Sequence, residues 1–161
     1  MILTDPLVQH LLERAMVARM ATVSQSGRPH VNPNYFVVDE SRLWLGTTTG
    51  TLAARNVAVN PAVQLLFEIE QDPTDSRLVR ITGTAAVRTE PDLLNEYKRR
   101  DAGKYFRSLR GLLMSLRHLH RLFLTTKYLS TTDPTSRHCV IEVEPTKIEI
   151  LDQGTGRFSR P

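Results

Sequence analysis

The 161 residues suit a single domain, 1–161, and the 40% hydrophobic and 24% charged fractions are ordinary for a globular protein with a real core. No apolar run approaches the about 20 residues that a membrane-spanning helix needs. The N-terminal residues lack the basic and apolar regions of a secretory signal, and Cys139, the sole cysteine, allows neither an internal disulfide nor a Cys/His metal cluster, so a reducing cytoplasm is the expected compartment.

In chain order, Thr4-Asp5-Pro6 reads as a cap followed by proline at the first helical position. Leu7, Val8, Leu11, Leu12 and Met16 recur at helical spacing, which predicts a helix over 6–15. Strands are expected at 19–24, 29–38 and 42–47, with turns at Gln25-Ser26-Gly27 and Asp39-Glu40-Ser41. A helix over 51–59 follows, ending at Asn60-Pro61. Strand four, 62–70, places Val63, Leu65, Phe67 and Ile69 on one face, and strand five, 78–89, does the same with Val79, Ile81, Ala85 and Val87. Gly83 marks a bulge or a close backbone approach. Helices are expected over 91–101 and about 104–124, the second with an apolar stripe of Phe106, Leu109, Leu113, Leu116 and Phe123. Two last strands, 139–143 and 147–151, flank a turn at Pro145.

This pattern is mainly β with helices, an α+β chain. Six to seven short sequential strands predict a small antiparallel barrel, closed to remove its edges, with a helical insertion at about 91–125. Pro29 and Pro33 place an edge or a split in strand two.

Two segments could hold a ligand. His30, Asn32 and Asn34 share one strand face with Phe36 and Val38, and asparagine amides can both donate to and accept from the edge of a heterocycle. Gly46-Thr-Thr-Thr-Gly-Thr51 runs from a strand into a helix whose first turn has unpartnered N–H groups, a geometry suited to phosphate; equally, Thr49 or Thr51 caps the helix. Arg55 lies one turn beyond Thr51, able to reach the same anion or to stand in solvent.

The five histidines form no zinc pattern, and no nucleophile elbow or Walker A lysine is present, so a bound cofactor rather than covalent catalysis is expected to carry any chemistry. The net charge of +4 conceals a strongly basic segment: residues 98–127 hold nine Lys and Arg against Asp101 alone, a net +8. Arg107, Arg110, Arg117 and Arg121 there form either a solvated face or a contact for an anionic polymer or membrane. The scattered aromatics argue against an RNA-binding platform.

Met20-Ala-Thr-Val-Ser-Gln-Ser-Gly-Arg-Pro-His, Asn32-Pro-Asn-Tyr-Phe-Val-Val-Asp, the threonine loop through Arg55-Asn56 to Asn60-Pro61, Arg80-Ile-Thr-Gly-Thr-Ala and Val143-Glu-Pro-Thr-Lys-Ile together resemble the pyridoxamine 5′-phosphate oxidase-like proteins. These are the FMN-binding split β-barrel family, which includes flavin and deazaflavin oxidoreductases. The resemblance covers about 20–90 and 139–150.

It implies a homodimer with cofactor sites at the subunit interface, FMN or a deazaflavin coenzyme as cofactor, and hydride transfer with a small-molecule substrate. It places Thr48, Thr49 and Thr51 about the phosphate, with basic residues nearby, and Asn32, Asn34 and Tyr35 at the ring edge; Thr47 and Arg55 complete the expected cofactor-binding set, with no metal and no assignable catalytic residue. One departure stands out. The family's loop commonly reads Ser-x-Lys before Arg-Asn; here those positions are Thr51, Leu52 and Ala53, and position 36, where some members keep a second lysine, is Phe36. A non-catalytic flavin- or haem-binding protein is the alternative this departure encourages.

Overall fold

The computed structural model describes residues 2–69, 75–105, 136–152 and 157–159. Helix α1 (Pro6–Arg14) begins where expected: the Leu7 amide donates to Asp5 Oδ1 at 2.9 Å, Pro6 occupies the first turn, and Val8, Leu11 and Leu12 are buried. The strands are β1 (Ala18–Val23), β2 (Pro29–Asn34), β3 (Phe36–Asp39), β4 (Arg42–Thr48), β5 (Ala62–Glu68), β6 (Arg77–Arg88), β7 (His138–Asp152) and the short β8 (Arg157–Ser159). Helix α2 (Leu52–Val59) lies between β4 and β5, and α3 (Pro91–Tyr105) follows β6.

All the ladders are antiparallel, in the order β2-β1-β5-β6-β7-β4-β3, with β8 added to β7. β2 and β3 are neighbours in the chain yet form opposite edges of this path. Only Tyr35 separates them, so the sheet must curl until its edges meet, and β2 touches β4 with no ladder between them. This is the split barrel that the strand pattern predicted. The single strand expected over 29–38 is corrected to two. The polar-apolar alternation runs on through Tyr35 and cannot register a change of ladder partner. Pro29 and Pro33 sit on an edge strand, where a missing N–H costs the sheet least.

The barrel interior is filled as the alternation required. Val63, Leu65, Phe67 and Ile69 are all buried, joined by Met20, Leu43, Leu45, Ile81, Ile141 and Val143. The Phe36 ring meets Phe67 edge-on at 4.7 Å between centroids.

Two further expectations need correction. Residues 139–143 and 147–151 belong to one strand, β7, and Pro145 is not in a turn. Thr82 faces Lys147 and Gly83 faces Pro145, so Thr146 is the extra residue of a bulge, its hydroxyl donating to Thr82 O. A Cβ at Gly83 would collide with the Glu144 carbonyl, which is the close backbone approach anticipated there. The helix expected over 91–101 continues unbroken to Tyr105. The remainder of the expected helix 104–124, with its apolar stripe and arginines, lies outside the described residues.

Helix α3 covers the outer face of β4 and its neighbours. Leu93, Leu94 and Tyr97 pack on Val37, Trp44 and Val140, and the Arg100 guanidinium lies 5.2 Å from the Trp44 ring centre. Beneath it the buried Glu142 accepts from Trp44 Nε1 and pairs with Arg42 and Arg88, tying β4, β6 and β7 together. Near its C-terminus, Lys104 Nζ donates to Leu12 O and lies 3.4 Å from the centre of the Phe36 ring. Burial pulls that ammonium down to a pKa of about 7, against the opposing charges of Asp101 and Glu13.

Candidate cofactor site

The β1–β2 register pairs Asn34 with Ala18, Asn32 with Met20 and His30 with Thr22. Ala18 and Met20 belong to the core, so all three polar residues face the barrel interior, half-buried, along the split. Asn34 Nδ2 donates to Asn32 O, while Asn32 Oδ1 is buried without a hydrogen-bond partner. An unpaired amide oxygen in that setting is an acceptor held ready for a donor. Tyr35 is 52% exposed at the turn between the edges and makes an edge contact with Tyr105 at 4.9 Å.

Alternation along β4 divides the threonines. Thr47 continues the interior face of Leu43 and Leu45, whereas Thr48 shares the outer face of Trp44 and Gly46, the one α3 covers. Thr48 Oγ1 is buried and unpaired on that side. Tyr97 lies against Gly46 and donates to Asp101 Oδ1. Burial, reinforced by the Asp101 charge, keeps this phenol protonated far above its ordinary range.

Thr51 is the N-cap of α2. Its hydroxyl accepts from the Ala54 amide and donates to Thr48 O, so the proton shared with Thr47 Oγ1 at 3.0 Å comes from Thr47. Both hydroxyl protons are thereby committed within the loop, and the capping alternative describes Thr51. Thr49 differs: its Oγ1 accepts from the Arg137 amide, its own amide donates to Arg137 O, and its hydroxyl proton has no acceptor among the described residues. The amides of Leu52 and Ala53 at the helix start have no acceptor among the described residues. Arg55 stands exposed one turn on, without an ion-pair partner among the described residues. Asn56 turns inward and donates to the buried Thr22 hydroxyl.

Ala53, where the resembling loops carry lysine, is only 3% exposed and packs in the barrel core. Cys139 pairs with Thr47 across the ladder, buried, and desolvation raises its thiol to a pKa of about 11, so it stays neutral. Residues 15–38, 41–67 and 136–141, which include the polar face of β2, the threonine loop and Arg137, contain no acidic residue. The segment is electropositive by composition. Arg137 is a site neighbour that sequence reasoning missed, because its approach to Thr49 depends on the β4–β7 ladder. Among the described residues no cluster of His, Cys, Asp and Glu could hold a metal ion.

An antiparallel sheet curled to a seam between consecutive strands, with a polar strand face and a threonine loop, defines a split-barrel protein. The family model for pyridoxamine 5′-phosphate oxidase matches residues 4–151, and the chain belongs to that family. No curated protein matched the sequence.

Among solved structures, one similar fold is a putative pyridoxamine 5′-phosphate oxidase from Listeria innocua. It is 19% identical, with 91% of this chain and 96% of that chain covered and a TM-score of 0.61. An F420 reductase is 24% identical, covering 87% and 94% respectively, at a TM-score of 0.59. A heme-binding protein from Mycobacterium smegmatis is 19% identical at a TM-score of 0.59, covering 92% of this chain and 53% of that one. No helix among the described residues is long and apolar enough to cross a membrane.

Proposed function

We propose that this chain is a cytoplasmic, homodimeric FMN-dependent oxidoreductase acting on a small substrate. The observation that carries the reading is Asn32 Oδ1, a buried acceptor with no partner among the described residues, on the interior face at the split where β2 touches β4. Asn32, Asn34 and Tyr35 would hold the ring edge. Thr49, the open amides of Leu52 and Ala53, and Arg55 would hold the phosphate. Thr47 and Thr51 would shape that loop through their own hydrogen bond, and Thr48 would support it from the outer face. A bound flavin supplies hydride transfer at its ring; the protein's part is to bind it, orient it and exclude water.

The exposed outer face of β2, with Val31 at 64%, and the adjoining Tyr35 at 52% support a second copy as the partner that completes the site. Absorbance of the purified protein tests the reading. Flavin bands, or their appearance on adding FMN, support it; a colourless protein that ignores FMN overturns it.

A deazaflavin coenzyme is a second reading, favoured by Ala53. A core methyl replaces an ammonium there, and a phosphodiester, with one negative charge where FMN's phosphate has two, needs less cationic support. Titrating both cofactors into the apo-protein separates the two, and tight binding without turnover would favour a non-catalytic flavin- or haem-binding role.

A further inference from the structure

We infer that Arg137 supplies, from the start of β7, the phosphate-binding cation that the loop lacks at position 53, an inference that rests on the flavin reading. Two reciprocal hydrogen bonds fix its backbone beside the loop: Thr49 N donates to Arg137 O at 2.9 Å, and Arg137 N donates to Thr49 Oγ1 at 3.1 Å. The second bond uses the Thr49 oxygen as acceptor and so leaves its proton for a ligand. The ladder immediately beyond, Thr48 with His138 and Thr47 with Cys139, makes this attachment part of the sheet and not a loop contact.

The Arg137 side chain is exposed and meets no carboxylate among the described residues, as holds for Arg55. Residues 41–67 and 136–141, which hold both arginines and the loop, include no acid. Beside the Thr49 hydroxyl and the open amides of Leu52 and Ala53 there are therefore two arginines, Arg55 one turn on and Arg137 bonded to Thr49 through its backbone, neither with a carboxylate partner among the described residues. Ala53 can pack into the core because the charge comes from a different strand. A guanidinium also offers a planar pair of N–H donors suited to two phosphate oxygens, which a lysine does not.

The test compares FMN with riboflavin, which lacks the phosphate, on the full chain. Loss of one charge-assisted bond predicts that Arg137→Ala weakens FMN about ten- to hundredfold while riboflavin affinity is unchanged. Arg137→Lys should retain much of the FMN affinity, and inorganic phosphate should compete with FMN less well in the alanine variant. Unchanged FMN affinity in Arg137→Ala overturns the inference and leaves the flavin reading standing. Equal losses for FMN and riboflavin overturn it as well, since the residue would then act on the fold. A wild-type chain that binds neither compound removes the flavin reading and this inference together.

Discussion

Asn56 donates a 2.9 Å hydrogen bond from Nδ2 to Thr22 Oγ1, and the two residues are 4% and 1% exposed. This contact ties α2, and with it the threonine loop, to β1. Asn56→Ala should lower unfolding stability by about 1–3 kcal/mol, the cost of stranding a buried hydroxyl. Asn56→Leu combined with Thr22→Val should recover part of that loss in urea unfolding, because neither polar partner is then left unmatched.

Tyr105 performs a similar service at the split. Its hydroxyl accepts from the Phe36 amide at 3.1 Å and lies within donating distance of both Met16 O and Phe36 O. Tyr105→Phe should cost about 1–3 kcal/mol. Hydrogen exchange should locate the effect, with faster exchange of the Phe36 amide than of the amides in the β5–β6 ladder.

Lys104 makes stability depend on pH. Burial lowers its folded-state pKa to about 7 from an ordinary 10.5, so between those values the unfolded chain binds more protons, and this group's contribution to stability rises with pH. Below about pH 7 the penalty for burying the charge is complete. In urea unfolding, wild type should therefore gain on Lys104→Met as the pH is raised from 7 to 10. The opposite trend would mean that the Leu12 carbonyl and the Phe36 ring favour the charged form more than burial disfavours it.

Gly46 and Tyr97 form a tight pair, since a Cβ at position 46 would lie 2.5 Å from the Tyr97 oxygen. Gly46→Ala should cost about 1–3 kcal/mol through overpacking. Shortening the partner in a Gly46→Ala, Tyr97→Leu double variant should cost less than the sum of the two single changes. At Gly83 no such relief is available, because the obstacle is the backbone carbonyl of Glu144.

Much of this architecture could be read from local pattern. The faces of β5 and β6, the α1 cap and the bulge glycine are encoded within a few residues and survive unchanged. What escaped depends on pairing over long distances. Nothing near Tyr35 announces that residues 29–34 join β1 while 36–39 join β4. Nothing near Pro145 reveals that a partner glycine turns an apparent break into a bulge. At the site, the threonine count was readable but its division was not. Thr47 and Thr48 point to opposite faces, Thr51 accepts from the helix as its cap and gives its proton to Thr48 O, and Arg137 arrives from about ninety residues away through a ladder.

The seam at Tyr35 also bears on how the chain assembles. β1 with β2 and β3 with β4 are hairpins that close short loops. The sheet becomes continuous only when Leu43 meets Val143 across a hundred residues. Closing so long a loop is slow relative to forming local hairpins. The threonine end of β4 therefore acquires its Arg137 neighbour late, and in a newly made chain the proposed phosphate site is complete only after β7 has paired with β4.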